Sequence, residues 1–334
     1  MNNEKFERFY EKLVQEDLEY MENLKEKAKQ ESRKNNVILI VVAIIIICIN
    51  SVVYILTYTD DKLIEENLFA GSLTLSLVLL IPILILWYAF KKNNEKQRYK
   101  KEFKERIVTK IVKAVSEDLE YQSSGKIDSR QYKNAEFFDC NDKYSSSELI
   151  YGKIEAGNDF KMTKVTTYEA DMNENKIANE MKYAQIFNGL FVEIDLSKSL
   201  NMLLYLRNNR RTKWIHLTQG ILRKMPYKDL KIELDSKEFE KIFTVYTSEE
   251  IKAKKIFTEE NMQMFMDFYY DLNSDYEMTI KNKKIYIRFL NKKIFEVPIL
   301  IKSSLDKQII FKHYNTLKQI LKFSDSIVNI IKYI

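Results

Sequence analysis

The sequence VILIVVAIIIICINSVVYILTY, residues 37–58, is a long apolar run, and a second apolar run, LFAGSLTLSLVLLIPILILWYAF, follows at residues 68–90. The two runs contain 22 and 23 residues. A helix of about 20 apolar residues is long enough to cross the hydrocarbon layer of a bilayer. The nine residues between the runs carry one basic and four acidic side chains. The sequence therefore predicts a transmembrane helical hairpin.

Basic residues beside the two runs predict how the hairpin is oriented, because short loops rich in Lys and Arg stay on the cytoplasmic side. These residues are Arg33, Lys34, Lys91, Lys92, Lys96, Arg98, Lys100 and Lys101. Both termini are therefore expected in the cytoplasm, in a multi-pass protein of the cell's inner (cytoplasmic) membrane. The first run begins only after 36 strongly charged residues, which is not typical of a cleaved signal peptide.

Asn50 and Ser76 lie at matching depths, each eight residues from the outer end of its run. A hydrogen bond between the two helices would satisfy the Asn50 amide, which is costly to leave unpaired in lipid. The alternative is a transport path, but such paths usually carry charged residues inside the membrane, and these runs contain none.

Apolar residues recur mostly at steps of three and four on both sides of the hairpin, which is typical of amphipathic helices. They are Phe6, Tyr10, Leu13, Val14, Leu18, Met21, Leu24 and Ala28 before it, and Tyr99, Phe103, Ile107, Ile111 and Val115 after it. We expect the two helices to pair antiparallel as a cytoplasmic stalk. We expect the apolar stripes to be buried within the chain, although they can instead lie along the membrane or pair with a second copy.

Period-two alternation after residue 121 predicts strands at 192–196, 276–280 and 285–289, the last two joined as a hairpin by a polar turn. Helices are predicted at 236–243 and 258–270. The fold class is therefore α+β. The predicted organisation is a cytoplasmic amphipathic helix at 1–36, transmembrane helices at 37–58 and 68–90 with an external loop at 59–67, a stalk helix at 91–121, a mixed strand and helix cytoplasmic domain at 122–303, and a C-terminal amphipathic helix at 304–334.

Two short segments carry a family resemblance. Phe187-Asn-Gly-Leu-Phe191, and Phe239-Glu-Lys-Ile-Phe-Thr-Val-Tyr-Thr247 running into Ala253 and the helix at Thr258, resemble an uncharacterised bacterial membrane-protein family classed as a domain of unknown function. The resemblance implies two N-terminal spans and a cytoplasmic domain. It implies no catalytic residues.

Residues with catalytic or metal-binding potential are scattered. There is no phosphate-cradling glycine motif, and His216 and His313 are about a hundred residues apart. Glu193 and Asp195 share a strand face and could hold a cation, although alternation favours a solvent-facing pair opposite an apolar face. Cys140 has no evident catalytic partner. We therefore expect no cofactor, no metal site and no catalytic residues.

The segment from Tyr205 to Lys231 is strongly basic, with eight basic residues and one acidic residue, whereas the whole chain has a net charge of +6. Arg207, Arg210, Arg211 and Lys213 are the predicted contacts to anionic lipid headgroups. The alternative is a solvated hairpin with basic loop residues. Nucleic acid is disfavoured as a partner, because basic charge alone does not read bases.

These observations favour a membrane-anchored cytoplasmic interaction module that binds a protein partner or anionic inner-leaflet lipid, without catalysis. A second copy of the chain is a further candidate partner. The alternative is a membrane-surface enzyme acting on a lipid or a peptide.

Overall fold

The computed structural model describes residues 3–57, 94–137, 142–170, 183–210, 230–297 and 306–334. The chain divides into two compact units. The first unit contains Met1–Phe9, Ile107–Glu296 and Lys307–Ile334, and the second contains Tyr10–Arg106 and Val297–Asp306. Helices and an antiparallel sheet are both present, so the α+β class is confirmed.

Helices flank the apolar runs. Helix α1 (Asn3–Leu13), a π-helical segment (Val14–Leu18) and α2 (Glu19–Thr57) precede residues 58–93. Helix α3 (Asn94–Glu102), a second π-helical segment (Phe103–Val108) and α4 (Thr109–Val115) follow them.

Within the second unit, α2 packs against α3. The amide nitrogen of Glu95 donates to the Glu31 carboxylate at 3.2 Å, and Arg106 contacts Asp17 at 3.5 Å. Because residues near 31 face residues near 95 and residues near 17 face residues near 106, the helices run antiparallel. The predicted antiparallel pairing of the flanking helices is therefore confirmed for this part of the chain.

Most of the predicted apolar stripes are buried. The buried residues are Phe6, Leu13, Leu18, Met21, Leu24, Ala28, Tyr99, Phe103, Ile107 and Ile111. The expected burial of the stripes within the chain is thereby supported.

The predicted spans fall largely outside the described residues. Among the residues whose side chains are described, no helix is both long and apolar enough to cross a membrane. The second predicted span, the loop before it and most side chains between residues 39 and 57 lie outside that set.

The first unit is built around a sheet of nine strands in the described residues. The strands are β1 (Leu119–Gln122), β2 (Lys143–Lys153), β3 (Asp159–Ala170), β4 (Tyr183–Asp195), β5 (Leu203–Asn208), β6 (Lys231–Ile232), β7 (Phe243–Thr247), β8 (Tyr276–Lys281) and β9 (Lys284–Leu290). Their order is β1-β2-β3-β4-β9-β8-β5-β7-β6, and each neighbouring pair is antiparallel.

The hairpin predicted from alternation is present as β8 and β9. Its loop is tighter than predicted, because Lys281 already pairs with Lys284 and only Asn282 and Lys283 connect the strands. Asn282 has a φ of 57°, in the left-handed region that tight hairpin turns require and that Asn tolerates well.

The remaining helices are α5 (Ser129–Asn134), α6 (Lys237–Ile242), α7 (Glu250–Ile256), α8 (Glu259–Leu272) and α9 (Lys307–Lys332). The helices predicted at 236–243, 258–270 and 304–334 are confirmed as α6, α8 and α9. Ser236 and Thr258 cap α6 and α8 by accepting hydrogen bonds from the amides of Phe239 and Asn261.

The two faces of the sheet are covered differently. On one face, which we call the helical face, Phe268 of α8 packs against Tyr276 and Phe289 and stacks on Phe323 of α9 at 3.7 Å between ring centroids. The other face carries aromatic and charged side chains beneath residues 127–137, which include α5. We call it the polar face.

Candidate functional site

Two of the four predicted basic contacts, Arg207 and Arg210, are described by the structure and lie on different faces at the end of β5. Arg207 lies two residues after the buried Tyr205 on β5, so the two side chains point to the same face, which is the polar face. Arg207 is half-buried. Arg210 is exposed and lies over the ring of Tyr269, which packs on Phe243 of the helical face. Arg211 and Lys213 lie outside the described residues.

Arg210 is held in place by its neighbours. Its amide nitrogen donates to Asn208 Oδ1 at 2.9 Å, and its guanidinium carbon lies 5.6 Å from the centre of the Tyr269 ring. The Asn208 amide and the Tyr269 hydroxyl both donate to Asp275, at 3.4 and 3.3 Å. Burial, and then the charge of Asp275, raise the pKa of Tyr269, so the ring under Arg210 is neutral at physiological pH.

Lys292 lies at the same end of α8, and Lys312 is close enough to Lys292 for its charge to act on it. Lys292 Nζ donates to the carbonyl of Leu272, the last residue of α8, at 2.6 Å, where a cation is favourable for the helix dipole. Burial, and then the charge of the exposed Lys312, lower the pKa of Lys292. Beside them, Tyr270 is 65% exposed. We call Arg210, Tyr270, Lys292 and Lys312 the basic turn.

Arg288 forms a buried ion pair at the centre of the polar face. Its Nε donates to Glu277 at 2.7 Å, and its Nη2 lies 2.5 Å from the same carboxylate oxygen. Both side chains are fully buried. Nη2 also donates to the carbonyl of Phe137 at 3.0 Å, and the guanidinium carbon lies 4.4 Å from the centre of the Phe137 ring.

This ion pair attaches residues 127–137 to the sheet. Besides the contacts to Phe137, Arg288 Nη1 donates to the Tyr132 hydroxyl at 3.4 Å. The Tyr132 ring also packs on Phe191 and Phe187. The arrangement uses the guanidinium as a structural clamp, because its donors are directed at protein oxygens.

Sequence analysis did not identify this pair, although the signal was there. Glu277 and Arg288 are direct cross-strand partners in the hairpin register. Opposite charges that face each other across a predicted hairpin are expected to pair. What the sequence did not indicate is that residues 127–137 fold over them.

Glu193 corrects the expectation of a solvent-facing carboxylate pair. Its side chain is 3% exposed because β4 is an inner strand with both faces covered, whereas Asp195 at the strand end is 44% exposed. Lys284 Nζ contacts both carboxylates, at 2.7 Å for Glu193 and 2.5 Å for Asp195. The positive charge beside these two carboxylates is therefore the ammonium group of Lys284, and not a metal ion.

Tyr286 lies next to this charged group on the same face. Burial, and then the charge of Glu193, raise its pKa to about 12. A phenol with this pKa stays protonated near neutral pH. Its ring stacks on Phe191 at 5.9 Å, in keeping with a packing role.

His313 is buried in α9. Its Nδ1 accepts a hydrogen bond from the amide of Phe295 at 3.2 Å, so the ring must be neutral with its proton on Nε2. Phe295 has a φ of 58°, a strained value for a bulky residue. Burial lowers the pKa of His313 to about 4. This histidine stabilises an unusual turn.

The other candidate residues do not form a catalytic or metal-binding cluster within the part of the chain that the structure describes. Cys140, His216 and Ser76 lie outside the described residues, as does the side chain of Asn50, so the predicted Asn50–Ser76 contact stays a prediction. Within the described ranges, no group of three or more His, Cys, Asp or Glu side chains is placed to hold a metal ion.

Comparison with protein families identifies the region that contains both the basic turn and the ion pair. Residues 185–331 match the family described as "Protein of unknown function (DUF3137)". The resemblance to a domain of unknown function is thereby confirmed. No curated protein matches the chain.

Comparison with solved structures gives a match to the crystal structure of the mycobacterial trehalose monomycolate transport factor A, TtfA. The sequences are 10% identical, the match covers 65% of this chain and 96% of that one, and the TM-score is 0.31.

Proposed function

We propose that this protein is a membrane-anchored cytoplasmic interaction module, tethered by residues 37–58 and 68–90, whose α+β unit binds a partner without catalysing a reaction. The partner is another protein or anionic lipid of the inner leaflet. Both termini lie in the cytoplasm in this proposal.

The observation that carries the proposal is the exposed aliphatic surface of α2. In the eight residues from 37 to 44, five large side chains are between 42% and 59% exposed: Val37, Ile38, Ile40, Val41 and Ile44. Burying one such side chain completely contributes about 1.5–3 kcal/mol, so leaving five of them half-exposed to water is unfavourable. A continuous apolar patch of this kind marks a contact surface for lipid or protein.

The length of α2 favours lipid over protein as the partner of this apolar patch. The helix runs from Glu19 to Thr57 without a break. Its part from residue 37 onwards rises about 30 Å at 1.5 Å per residue, which matches the hydrocarbon thickness of a bilayer. The second apolar run is one residue longer in the sequence, so the pair is suited to cross the membrane and return.

Extraction of cell membranes at alkaline pH tests the tether. We expect the full-length chain to stay in the membrane pellet, and Ile40→Arg with Ile44→Arg to increase its release, because an arginine within a span is unfavourable by up to about 3 kcal/mol, the full cost applying at the centre. Ile251→Arg is the matched control, since Ile251 is 77% exposed on α7. Release of the unaltered chain, or equal release of the control variant, contradicts the tether.

Crosslinking in native membranes, followed by mass spectrometry, tests the interaction. Repeated recovery of one protein other than the chain itself supports a protein partner, and recovery of lipid adducts supports lipid. Recovery of nothing but the chain argues against a different protein as partner and favours a second copy.

A further inference from the structure

The C-terminal turn of α8 presents cations from three separate parts of the first unit. Arg210 follows β5, Lys292 follows β9 and Lys312 belongs to α9. Among the described residues, none of the three forms an ion pair within 4 Å, the limit for a salt bridge. Arg210 and Lys312 are also exposed, so their positive charge is available to an external anion.

Acidic residues at the same turn offset only part of this charge. Asp275 accepts hydrogen bonds from Asn208 and Tyr269, which direct its carboxylate toward the protein. Asp271 is exposed one residue after Tyr270. Asp275 is therefore already engaged within the protein, and Glu296 pairs with Lys293.

The exposed Tyr270 favours a membrane surface as the ligand of this turn. Its ring lies 5.2 Å from that of Tyr269, which supports the Arg210 guanidinium from below. Exposed tyrosine beside basic residues suits the headgroup layer of a membrane, where the ring contacts the apolar boundary and the hydroxyl contacts water and phosphate.

We propose that the basic turn, formed by Arg210, Tyr270, Lys292 and Lys312, docks onto anionic phospholipid headgroups of the membrane that carries the tether. The inference rests on the proposed membrane anchoring and names lipid as the partner of this surface. Lys292 contributes charge while capping α8, and Arg210 and Lys312 supply the cations that are exposed.

Hydrogen exchange of the full-length chain in lipid nanodiscs tests the docking. One set of nanodiscs contains only phosphatidylcholine, and the other also contains phosphatidylglycerol. We expect the amides of residues 270–275 and 291–293 to exchange more slowly in the anionic set, and the protection to weaken at high salt because the attraction is screened. Equal exchange in both sets overturns the docking.

Arg210→Gln with Lys312→Gln is the decisive variant. Each Lys or Arg near an anionic surface changes affinity about five-fold, so removing two is expected to weaken docking roughly 25-fold and abolish the extra protection. The matched control is Arg130→Gln with Lys254→Gln, whose parent side chains are 91% and 55% exposed. Protection that persists in the decisive variant, or vanishes in the control, overturns the proposal.

Tyr270→Ser tests the aromatic contribution against Tyr333→Ser, since Tyr333 is 85% exposed. We expect protection to decrease only for the Tyr270 variant, and an equal decrease in both, or none in either, counts against the docking surface. Thermal unfolding of every variant excludes misfolding as the cause.

Failure of the chain to enter nanodiscs at all overturns the anchoring itself, whereas insertion without lipid-dependent protection overturns only the docking.

Discussion

Arg288 is the side chain on which the polar face depends most. It is fully buried and joins Glu277, Phe137 and Tyr132 through one guanidinium group. Removing one member of a buried ion pair is costly because it takes the compensating charge away from the other. We expect Arg288→Met to lower the free energy of unfolding by about 3–5 kcal/mol, measured by urea unfolding of the detergent-solubilised chain.

The double variant Arg288→Met with Glu277→Leu provides the control. Because both charges are removed together, we expect it to recover most of the lost stability. Lys241→Gln removes a partner from an exposed pair and should change stability by less than about 1 kcal/mol. If Arg288→Met is no more destabilising than Lys241→Gln, the ion pair does not hold residues 127–137 on the sheet.

His313 gives the protein a specific dependence on pH. Its pKa is about 4 in the folded chain, compared with an ordinary value of 6.5. As the pH falls below 6.5, the unfolded chain therefore takes up the proton first. The stabilisation is complete above pH 6.5, declines as the pH falls toward 4, and amounts to about 3 kcal/mol in total.

Unfolding measured at pH 7 and pH 4.5 checks this prediction. The unaltered chain should lose roughly 2–3 kcal/mol more than His313→Gln over that interval, because the glutamine does not titrate. Equal losses in the two proteins would mean that His313 is not held neutral by its surroundings.

The main chains of β4 and β9 approach closely at Gly189. A Cβ atom added at Gly189 would lie 1.9 Å from the carbonyl oxygen of Phe289 on β9. This carbonyl oxygen belongs to the main chain, so it cannot move away without breaking the β4–β9 pairing. We expect Gly189→Ala to destabilise the fold by at least about 3 kcal/mol, measured as a shift in the urea midpoint.

Gly157 supplies the contrast for that experiment. It has open space around it and a φ of 84°, a conformation that asparagine tolerates better than other residues. Gly157→Asn should therefore cost no more than about 1 kcal/mol. A Gly189→Ala chain as stable as this control would contradict the close approach of β4 and β9.

Local sequence signals predicted those elements whose side chains alternate between one apolar and one polar face or follow a clear cap. The hairpin β8–β9 and the helices capped by Ser236 and Thr258 belong to this class. Strand β2 was not predicted, because its sequence, KYSSSELIYGK, is mostly polar and lacks an apolar face. The solvent-facing prediction for Glu193 was wrong, since alternation alone does not indicate that a second layer covers the strand.

The candidate site depends even more on long-range structure. Arg210 was identified from its charge, but Lys292 and Lys312 join it only because β9 and α9 return to the end of α8. Likewise, the cross-strand pair of Glu277 and Arg288 follows from the hairpin, whereas its burial depends on residues 127–137. Such contacts between distant segments leave no periodic pattern in the sequence.

For the protein as a whole, we propose that two apolar helices cross the membrane and return, leaving both ends in the cytoplasm. Protease digestion of intact cells carrying a tag at either terminus tests this most directly, with opened cells as the control for cleavage. We expect both tags to resist protease outside intact cells and to be cleaved once the cells are opened. Cleavage of either tag in intact cells would contradict it.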